Sequence, residues 1–374
     1  MSEIVLSGDP RSFLNHFAAF GLAAILEEGL RRTCRVSQRS ANSLVVSVDS
    51  ETETPEPMAS VVKLHAQRHL DSWIMRTHKH GDKTSGTMSP RLAQLKEVSE
   101  WRTLQAARWA AFDSAFEAKL SCLDLMYMGS LGEPAYWYID NNGGNQPDRG
   151  ASGWEMKTRN RGEEFVQHRL ADLCRRVAAR TPKGVLDGLT SIDPQDEAGN
   201  NSPSSRTPTG LSAPAATDNA LAWCALWGIS LFQVTHSAAI AVGTGKGSGR
   251  QSVTAGLVRG LPLPESLARA YAFLPIFPRP TRLARIKTIV GSGQLARVVI
   301  RHVLNATEPQ WRPQDHQKWS RLSQSLSALP DEAWLKRKGC PAALIGYIKV
   351  SDNVNAPEPH VTRGTYLMFG SDGP

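Results

Sequence analysis

The glycine-rich segment 243–250 contains the residue types that could most directly do chemistry. It reads Gly-Thr-Gly-Lys-Gly-Ser-Gly-Arg, and Lys246 and Arg250 are its two cations. Closely spaced glycines let several backbone N–H groups point at one phosphate. A Walker A loop needs Lys followed by Ser or Thr and then a helix, whereas Lys246 precedes a glycine and a strand-like run. Three hypotheses stay open: contact with a nucleic-acid backbone, nucleotide binding by an enzyme with a divergent phosphate loop, or an unliganded hairpin tip.

The other candidates for catalysis or metal binding are weaker. His65 and His69 stand four residues apart on a predicted helix, with His78 and His80 shortly after. A zinc site needs further ligands at suitable spacing, and no HExxH motif or cysteine pair accompanies these histidines. Trp73 continues the same helix face, which favours packing or solvation over metal binding. No nucleophile elbow, catalytic triad order or paired Mg²⁺-binding carboxylates can be recognised. We therefore expect a binding protein rather than an enzyme, with no metal and no cofactor.

Positive charge is concentrated in one part of the chain. The whole chain carries a formal net charge of +8, while residues 241–303 hold ten Lys or Arg and a single acid, Glu265. Such asymmetry indicates an anionic partner, most simply nucleic acid, although an Arg-rich solvated surface is the alternative. The residues predicted to contact phosphates are Lys246, Arg250, Arg259, Arg279, Arg282, Arg285 and Lys287.

Two polar segments in the middle of the chain could read base edges. The loop 141–153 is rich in Asn, Gly and Gln and has no apolar anchor. Asn and Gln side chains can address base edges, and Arg also suits a narrow minor groove. The candidate readers are Asn141, Asn142 and Gln146, together with the cluster Lys157, Arg159 and Arg161.

The elements that must position these residues begin with a β-α-β-β order. A strand at 3–6 is followed by a helix that starts at Asp9-Pro10 and ends near Gly29, and strands follow at 33–38 and 43–48. This order is half of a ferredoxin-like fold. The predicted fold class is α+β, with helical insertions after the N-terminal strands and a mixed helix and hairpin C-terminal part. Further helices are predicted at 59–77, 98–119, 161–180, 218–232, 264–273, 294–305, 314–326 and 331–338, and further strands at 123–128, 136–139, 238–242 and 251–258.

A proline- and serine-rich segment divides the chain. Residues 190–217 contain four prolines and no aromatic residue, so we expect a flexible linker that buries too little surface to order itself. The predicted domains are an N-terminal α+β domain at 1–189 and a basic C-terminal domain at 218–374. The five cysteines are widely spaced with no CxxC pair, and no secretory signal or membrane span is recognisable. These features predict a cytoplasmic protein without a membrane partner.

Three segments resemble one known family. The first is the strand and helix around Asp9-Pro10 and Phe13–Glu27 (FLNHFAAFGLAAILE), and the second is Tyr136-Trp137-Tyr138 with Lys157-Thr158 after a polar loop. The third is Leu221–Val234 (LAWCALWGISLFQV), ahead of the Gly/Arg-rich hairpin. Together they resemble the compact large subunits of CRISPR type I-G (formerly I-U) Cascade complexes. Arg159 departs from the family pattern, which has an aromatic residue there.

The resemblance implies a non-catalytic subunit of an antiviral ribonucleoprotein. Such a subunit contacts the 5′ end of the crRNA and inspects the target double-stranded DNA for a protospacer-adjacent motif. It supports strand opening beside the other Cascade subunits, namely the backbone and crRNA-end subunits, and a helicase–nuclease is recruited transiently. The alternatives are the nucleotide-binding enzyme and an unrelated RNA-binding protein. Strand 44–48 lacks the aromatic residues that a standard RRM uses for stacking.

Overall fold

The computed structural model has the α+β fold that the sequence predicts. It describes residues 1–40, 43–50, 52–80, 83–89, 97–117, 121–132, 136–139, 145–148, 154, 165–232, 253–254, 256–327, 330–351 and 358–370. The strands are β1 Ser2–Leu6, β2 Cys34–Ser40, β3 Ser43–Val48, β4 Thr77–His80, β5 Lys83–Gly86, β6 Tyr136–Ile139, β7 Asn145–Asp148, β8 Val253–Thr254, β9 Leu257–Val258, β10 Ala268–Ile276, β11 Thr281–Arg282, β12 Ala342–Val350, β13 Pro359–Val361 and β14 Thr365–Met368. The α-helices are α1 Phe13–Leu30, α2 Pro55–Arg68, α3 Val98–Glu117, α4 Cys122–Gly132, α5 Ala171–Ala179, α6 Pro182–Leu189, α7 Asn219–Gly228, α8 Leu283–Val290, α9 Gly293–Thr307, α10 His316–Ser327 and α11 Asp331–Arg337.

The N-terminal sheet confirms the β-α-β-β order and adds a fourth strand to it. Its strand order is β1-β3-β2-β11, and all pairs are antiparallel. The fourth strand is distant in sequence, because β11 belongs to the basic segment. The helix start differs from the prediction: α1 begins at Phe13, and Asp9 instead turns the chain by accepting from Arg11 N at 3.0 Å. Through β11, the basic segment supplies the edge strand of the N-terminal sheet.

Helices α1 and α7 pack with their backbones in contact. A Cβ atom on Gly21 would lie 1.8 Å from Cys224 O, and one on Gly228 would lie 2.1 Å from Phe17 O. Glycine is therefore required on both helices at the crossing. Residues 13–26 of α1 and all of α7 are buried, which fits the uniformly apolar sequences of these helices. This pair forms the centre of the main hydrophobic core.

The C-terminal sheet corrects two secondary-structure predictions. Its strand order is β13-β12-β10-β9-β8, and β14 pairs with one half of β12. Residues 264–273 were expected to be helical, but most of them belong to β10, which pairs with β12 along 268–276. Residues 123–128 were expected to form a strand but lie in α4. Short apolar runs do not distinguish a buried strand from a buried helix by periodicity, which explains both errors.

The segment 190–217, which the sequence predicts to be a flexible linker, makes hydrogen bonds to a buried carboxylate and packs Leu211 into the core. The Asp196 side chain is 1% exposed and accepts hydrogen bonds from Thr207 Oγ1 at 2.6 Å, Thr217 N at 3.1 Å and Asn219 Nδ2 at 3.0 Å. Leu211 is fully buried in the main core. Hydrogen bonds to one buried carboxylate thus supply the ordering that apolar composition does not. The two-domain division on either side of this segment stays a prediction.

Among the helices that the structure describes, none combines the length and apolarity that crossing a membrane requires.

Candidate nucleic-acid interface

Strands β2 and β11 bring distant arginines together at one edge of the N-terminal sheet. Arg282 lies directly opposite Arg35 in the β11–β2 pair. Arg282 is also the residue immediately before α8, so Arg285 follows it one turn later, while Arg279 precedes β11. We call Arg35, Arg279, Arg282 and Arg285 the basic strip. Its three members from the second half of the chain were predicted to contact phosphates.

Two carboxylates moderate the positive charge where Arg35 and Arg282 meet. Like charges directly opposite on a sheet repel each other. Arg35 forms an ion pair with Asp49, and this hydrogen bond, with the Arg282 charge nearby, holds the pKa of Asp49 below its usual value. Burial raises the pKa of Glu27, an increase that the hydrogen bond from Cys34 N at 3.0 Å and the charge of Arg282 partly offset. The two carboxylates offset the repulsion between Arg35 and Arg282 and so allow β11 to pair with β2.

Arg279 and Arg285 carry the charge that remains available to a ligand. Both side chains are exposed, and no carboxylate of the described residues lies within 4.0 Å of either guanidinium. Lys287, half-buried on α8, instead places its Nζ 3.7 Å from the Met126 sulfur of α4. Arg259, just after β9, is exposed. The residues predicted to contact phosphates therefore differ in their surroundings. Among those that the structure describes, the strip residues are the strongest candidates for phosphate contact.

Other arginines of the same segment stabilise the fold. Arg297 makes a two-point contact with Asp331, with Nε to Oδ2 and Nη2 to Oδ1 both at 2.8 Å. Arg301 pairs with Glu332 on the same helix, α11. Arg269 Nη1 donates to the carbonyl oxygen of Ser266 at 3.0 Å. The formal charge of +9 over 241–303 thus overstates what a ligand would meet.

Sequence reasoning missed Arg35 of the strip and two arginines that precede it. Arg31 and Arg32 follow α1 and are exposed, and Arg31 adopts a left-handed conformation with φ 54° that turns the chain toward β2. Arg35 follows within β2. The pattern Arg-Arg-x-x-Arg at 31–35 was visible in the sequence. Its proximity to Arg282 was not visible, because that proximity depends on the pairing of β2 with β11.

Most of the remaining predicted contacts lie outside the described residues. This holds for Lys246 and Arg250 of the glycine-rich segment and for Asn141, Asn142, Lys157, Arg159 and Arg161 of the candidate base readers. Gln146 falls in β7, where it pairs with Tyr138 of β6. The predicted strand 238–242 also falls outside. The single strand predicted at 251–258 is instead divided into β8 and β9, which pair with each other. These site residues stay predictions.

His65 of α2 and His69, which directly follows that helix, belong to a packed aromatic cluster. The His65 ring lies 4.4 Å from the Trp227 ring, and the His69 ring lies 4.9 Å from it, measured between centroids. Burial lowers the pKa of both histidines, that of His69 to about 4. Among the described residues, no group of three or more His, Cys, Asp or Glu is placed to hold a metal ion. The cluster therefore presents neutral, inaccessible imidazoles at neutral pH.

One buried carboxylate organises the polar side of that cluster. Asp124 of α4 accepts from Trp73 Nε1 and from Arg68 Nη2, both at 2.9 Å, and lies 3.4 Å from His69 Nε2. Asp124 is completely buried, and Arg68 also pairs with Glu28 at 2.7 Å. All of these groups are engaged with one another, so the arrangement holds α1, α2 and α4 together.

Searches against protein-family models and against curated proteins give no match for the chain.

Proposed function

We propose that the chain is a non-catalytic nucleic-acid-binding protein whose basic strip contacts a phosphate backbone. The observation that carries the proposal is the exposure of Arg279 and Arg285, without carboxylate partners among the described residues, beside the charged pair Arg35 and Arg282. Guanidinium groups bind phosphate oxygens through geometry-matched hydrogen bonds. Binding to phosphates releases condensed counterions and supplies affinity without reading sequence.

The resemblance of the N-terminal helix and the 221–234 run supplies the cellular setting. We propose that the chain is a subunit of a type I CRISPR effector complex. In this role it contacts the crRNA 5′ end and the target DNA near the protospacer-adjacent motif, and it supports strand opening. Base pairing with the guide would read most of the sequence, so this chain needs phosphate contacts and a few base contacts. Lys246, Arg250 and the polar residues near 141–161 are the proposed additional contacts.

The test is a comparison of two double variants with the same loss of charge. Arg279→Ala/Arg285→Ala removes the exposed strip cations, and Arg312→Ala/Arg321→Ala removes two exposed cations beside and on α10. Fluorescence anisotropy with a labelled short duplex measures affinity at low salt. We expect the strip variant to bind at least tenfold more weakly and the α10 variant to stay within about twofold of the wild type, since two phosphate contacts are lost only in the first. Equal affinities of the two variants would contradict the proposal.

The same preparations distinguish the alternative functions. A nucleotide-binding enzyme would hydrolyse ATP, and its turnover would disappear in Lys246→Ala. An unrelated RNA-binding protein would bind single-stranded RNA far more tightly than duplex DNA. The proposed function predicts no ATP turnover and measurable binding of duplex DNA by the wild type.

A further inference from the structure

An open groove lies between the C-terminal sheet and α9. Its volume is about 290 Å³, and its lining includes Tyr347 of β12, Tyr271 of β10, and His302 and Ala306 of α9. Gln310 and Arg363 also line the groove. Pockets for small ligands are commonly about 300–1,000 Å³, so this groove suits a ligand at the small end of that range.

The two tyrosines are fixed by hydrogen bonds outside the ligand space. The Tyr347 hydroxyl donates to Glu265, which is itself ion-paired with Lys349 Nζ at 3.0 Å. The Tyr271 hydroxyl donates to Pro262 O at 2.8 Å. Since both hydroxyls are already engaged, the two rings contribute no hydrogen bonds to a ligand. Tyr271 is only 7% exposed, so the accessible aromatic surface comes from the half-buried ring of Tyr347. Fixed aromatic surface of this kind binds flat rings with little loss of side-chain entropy.

The polar groups of the groove suit an uncharged ligand with mixed donors and acceptors. Gln310 is exposed and makes no hydrogen bond within the described residues, so its amide offers both a donor and an acceptor. Burial, together with the charge of Arg301, lowers the pKa of His302, which is therefore neutral at pH 7. Glu265 is already engaged, and Asp9 is paired with Arg363 Nε. A nucleobase has the flat shape and mixed polar edge that these groups match.

Strand β2 connects the basic strip with the strand that borders the groove. Gln38 of β2 donates from its backbone N to Phe277 O at 2.7 Å, two residues before Arg279. The Gln38 side chain donates to the Tyr366 hydroxyl at 2.8 Å. Tyr366 lies on β14 beside Thr365, which lines the groove. The Gln38–Tyr366 hydrogen bond thus connects β2, which carries Arg35, with β14, whose residue Thr365 lines the groove.

We infer that this groove binds one unpaired nucleobase of the nucleic acid whose backbone contacts the basic strip. The inference rests on the proposed function and extends it from phosphate contact to base contact. Stacking against Tyr347 provides the attraction, while Gln310 and His302 hydrogen-bond to the base edge.

The experiment compares a blunt duplex, the same duplex with a short single-stranded overhang, and one with an abasic overhang. Ala306→Trp fills the groove, Gln310→Ala removes the amide from an exposed position, and Ala333→Trp is the control on an exposed site of α11. Stacking of one base is worth about tenfold in affinity, within a wide range. We expect the wild type and Ala333→Trp to prefer the intact overhang about tenfold over both other duplexes. Ala306→Trp should lose that preference without a change in blunt-duplex affinity, and Gln310→Ala should reduce it.

The outcomes separate the two proposals. Equal affinity of the wild type for intact and abasic overhangs, or a preference that survives both groove substitutions, would overturn the inference. The proposed function would then still stand, provided that the blunt duplex binds through the strip. Failure of the wild type to bind any of the duplexes would overturn both.

Discussion

Two groups of arginines from the same basic segment have opposite surroundings. Arg297 and Arg301 on α9 are engaged by Asp331 and Glu332 of α11, and the Asp331 side chain is only 8% exposed. Arg279 and Arg285 are exposed, with no carboxylate of the described residues within ion-pair distance. Their charge is identical, yet the first pair joins two helices and the second is available to an anion. A count of basic residues therefore identifies a basic segment, whereas the carboxylates around each residue identify its role.

Lowering the pH should reduce the free energy of unfolding more than any of the substitutions below. Burial lowers the pKa of His16 from 6.5 to about 4, and His65 and His69 are lowered in the same direction. Since the unfolded chain binds more protons than the folded chain in this interval, stability falls as the pH drops from 6.5 toward 4. The loss from His16 alone is on the order of 3 kcal/mol.

Urea unfolding at a series of pH values measures this loss. The strip arginines stay charged throughout, so duplex affinity at pH 7 and pH 6 should agree while the protein remains folded. A free energy of unfolding that does not change between pH 6.5 and 4.5 would show that these histidines are not buried as neutral groups.

Arg297→Ala tests whether Arg297 stabilises the fold rather than binding nucleic acid. It leaves the buried carboxylate of Asp331 without its two-point partner, which should lower the free energy of unfolding by about 2 kcal/mol. Duplex affinity should remain unchanged while the protein is folded. Urea unfolding and anisotropy on the same preparation measure both. A stable Arg297→Ala variant with weakened binding would reverse the assigned roles.

Arg35 combines the features of both groups of arginines, so Arg35→Ala should affect stability and binding together. It pairs with Asp49 and also lies opposite Arg282 in the strip. The pair is at the surface, so we expect a stability loss of no more than about 1 kcal/mol. Binding should fall more than for Arg285→Ala, since the carboxylate of Asp49 would then face the phosphate. Arg35→Lys, which retains the charge, should recover part of the affinity.

Arg285→Ala should have the smallest effect on folding. The side chain is exposed and has no ion pair among the described residues, so unfolding in urea should change by no more than about 0.5 kcal/mol. A loss comparable to that of Arg297→Ala would mean that Arg285 has a structural partner.

The N-terminal β-α-β-β region could be predicted because the apolar run of the 18-residue helix α1 is too long for a strand, while the runs around it have strand lengths. Residues 123–128 and 264–273 could not, since short apolar runs fit a buried helix and a buried strand equally well. The ordering of 190–217 depends on Asp196, whose donors Thr207, Thr217 and Asn219 are unremarkable in the sequence. The strip was half predictable: the charge of Arg279–Arg285 was visible, but its junction with Arg35 requires a pairing between residues about 250 positions apart.

The salt dependence of duplex binding measures how many phosphates the strip contacts. Each phosphate contact contributes about 0.9 to the slope of log affinity against log salt concentration. We predict that Arg279→Ala/Arg285→Ala reduces the magnitude of this slope by about 2 relative to the wild type, whereas Arg312→Ala/Arg321→Ala leaves it unchanged. The same slope for all three proteins would contradict the assignment of the basic strip as the phosphate-binding surface.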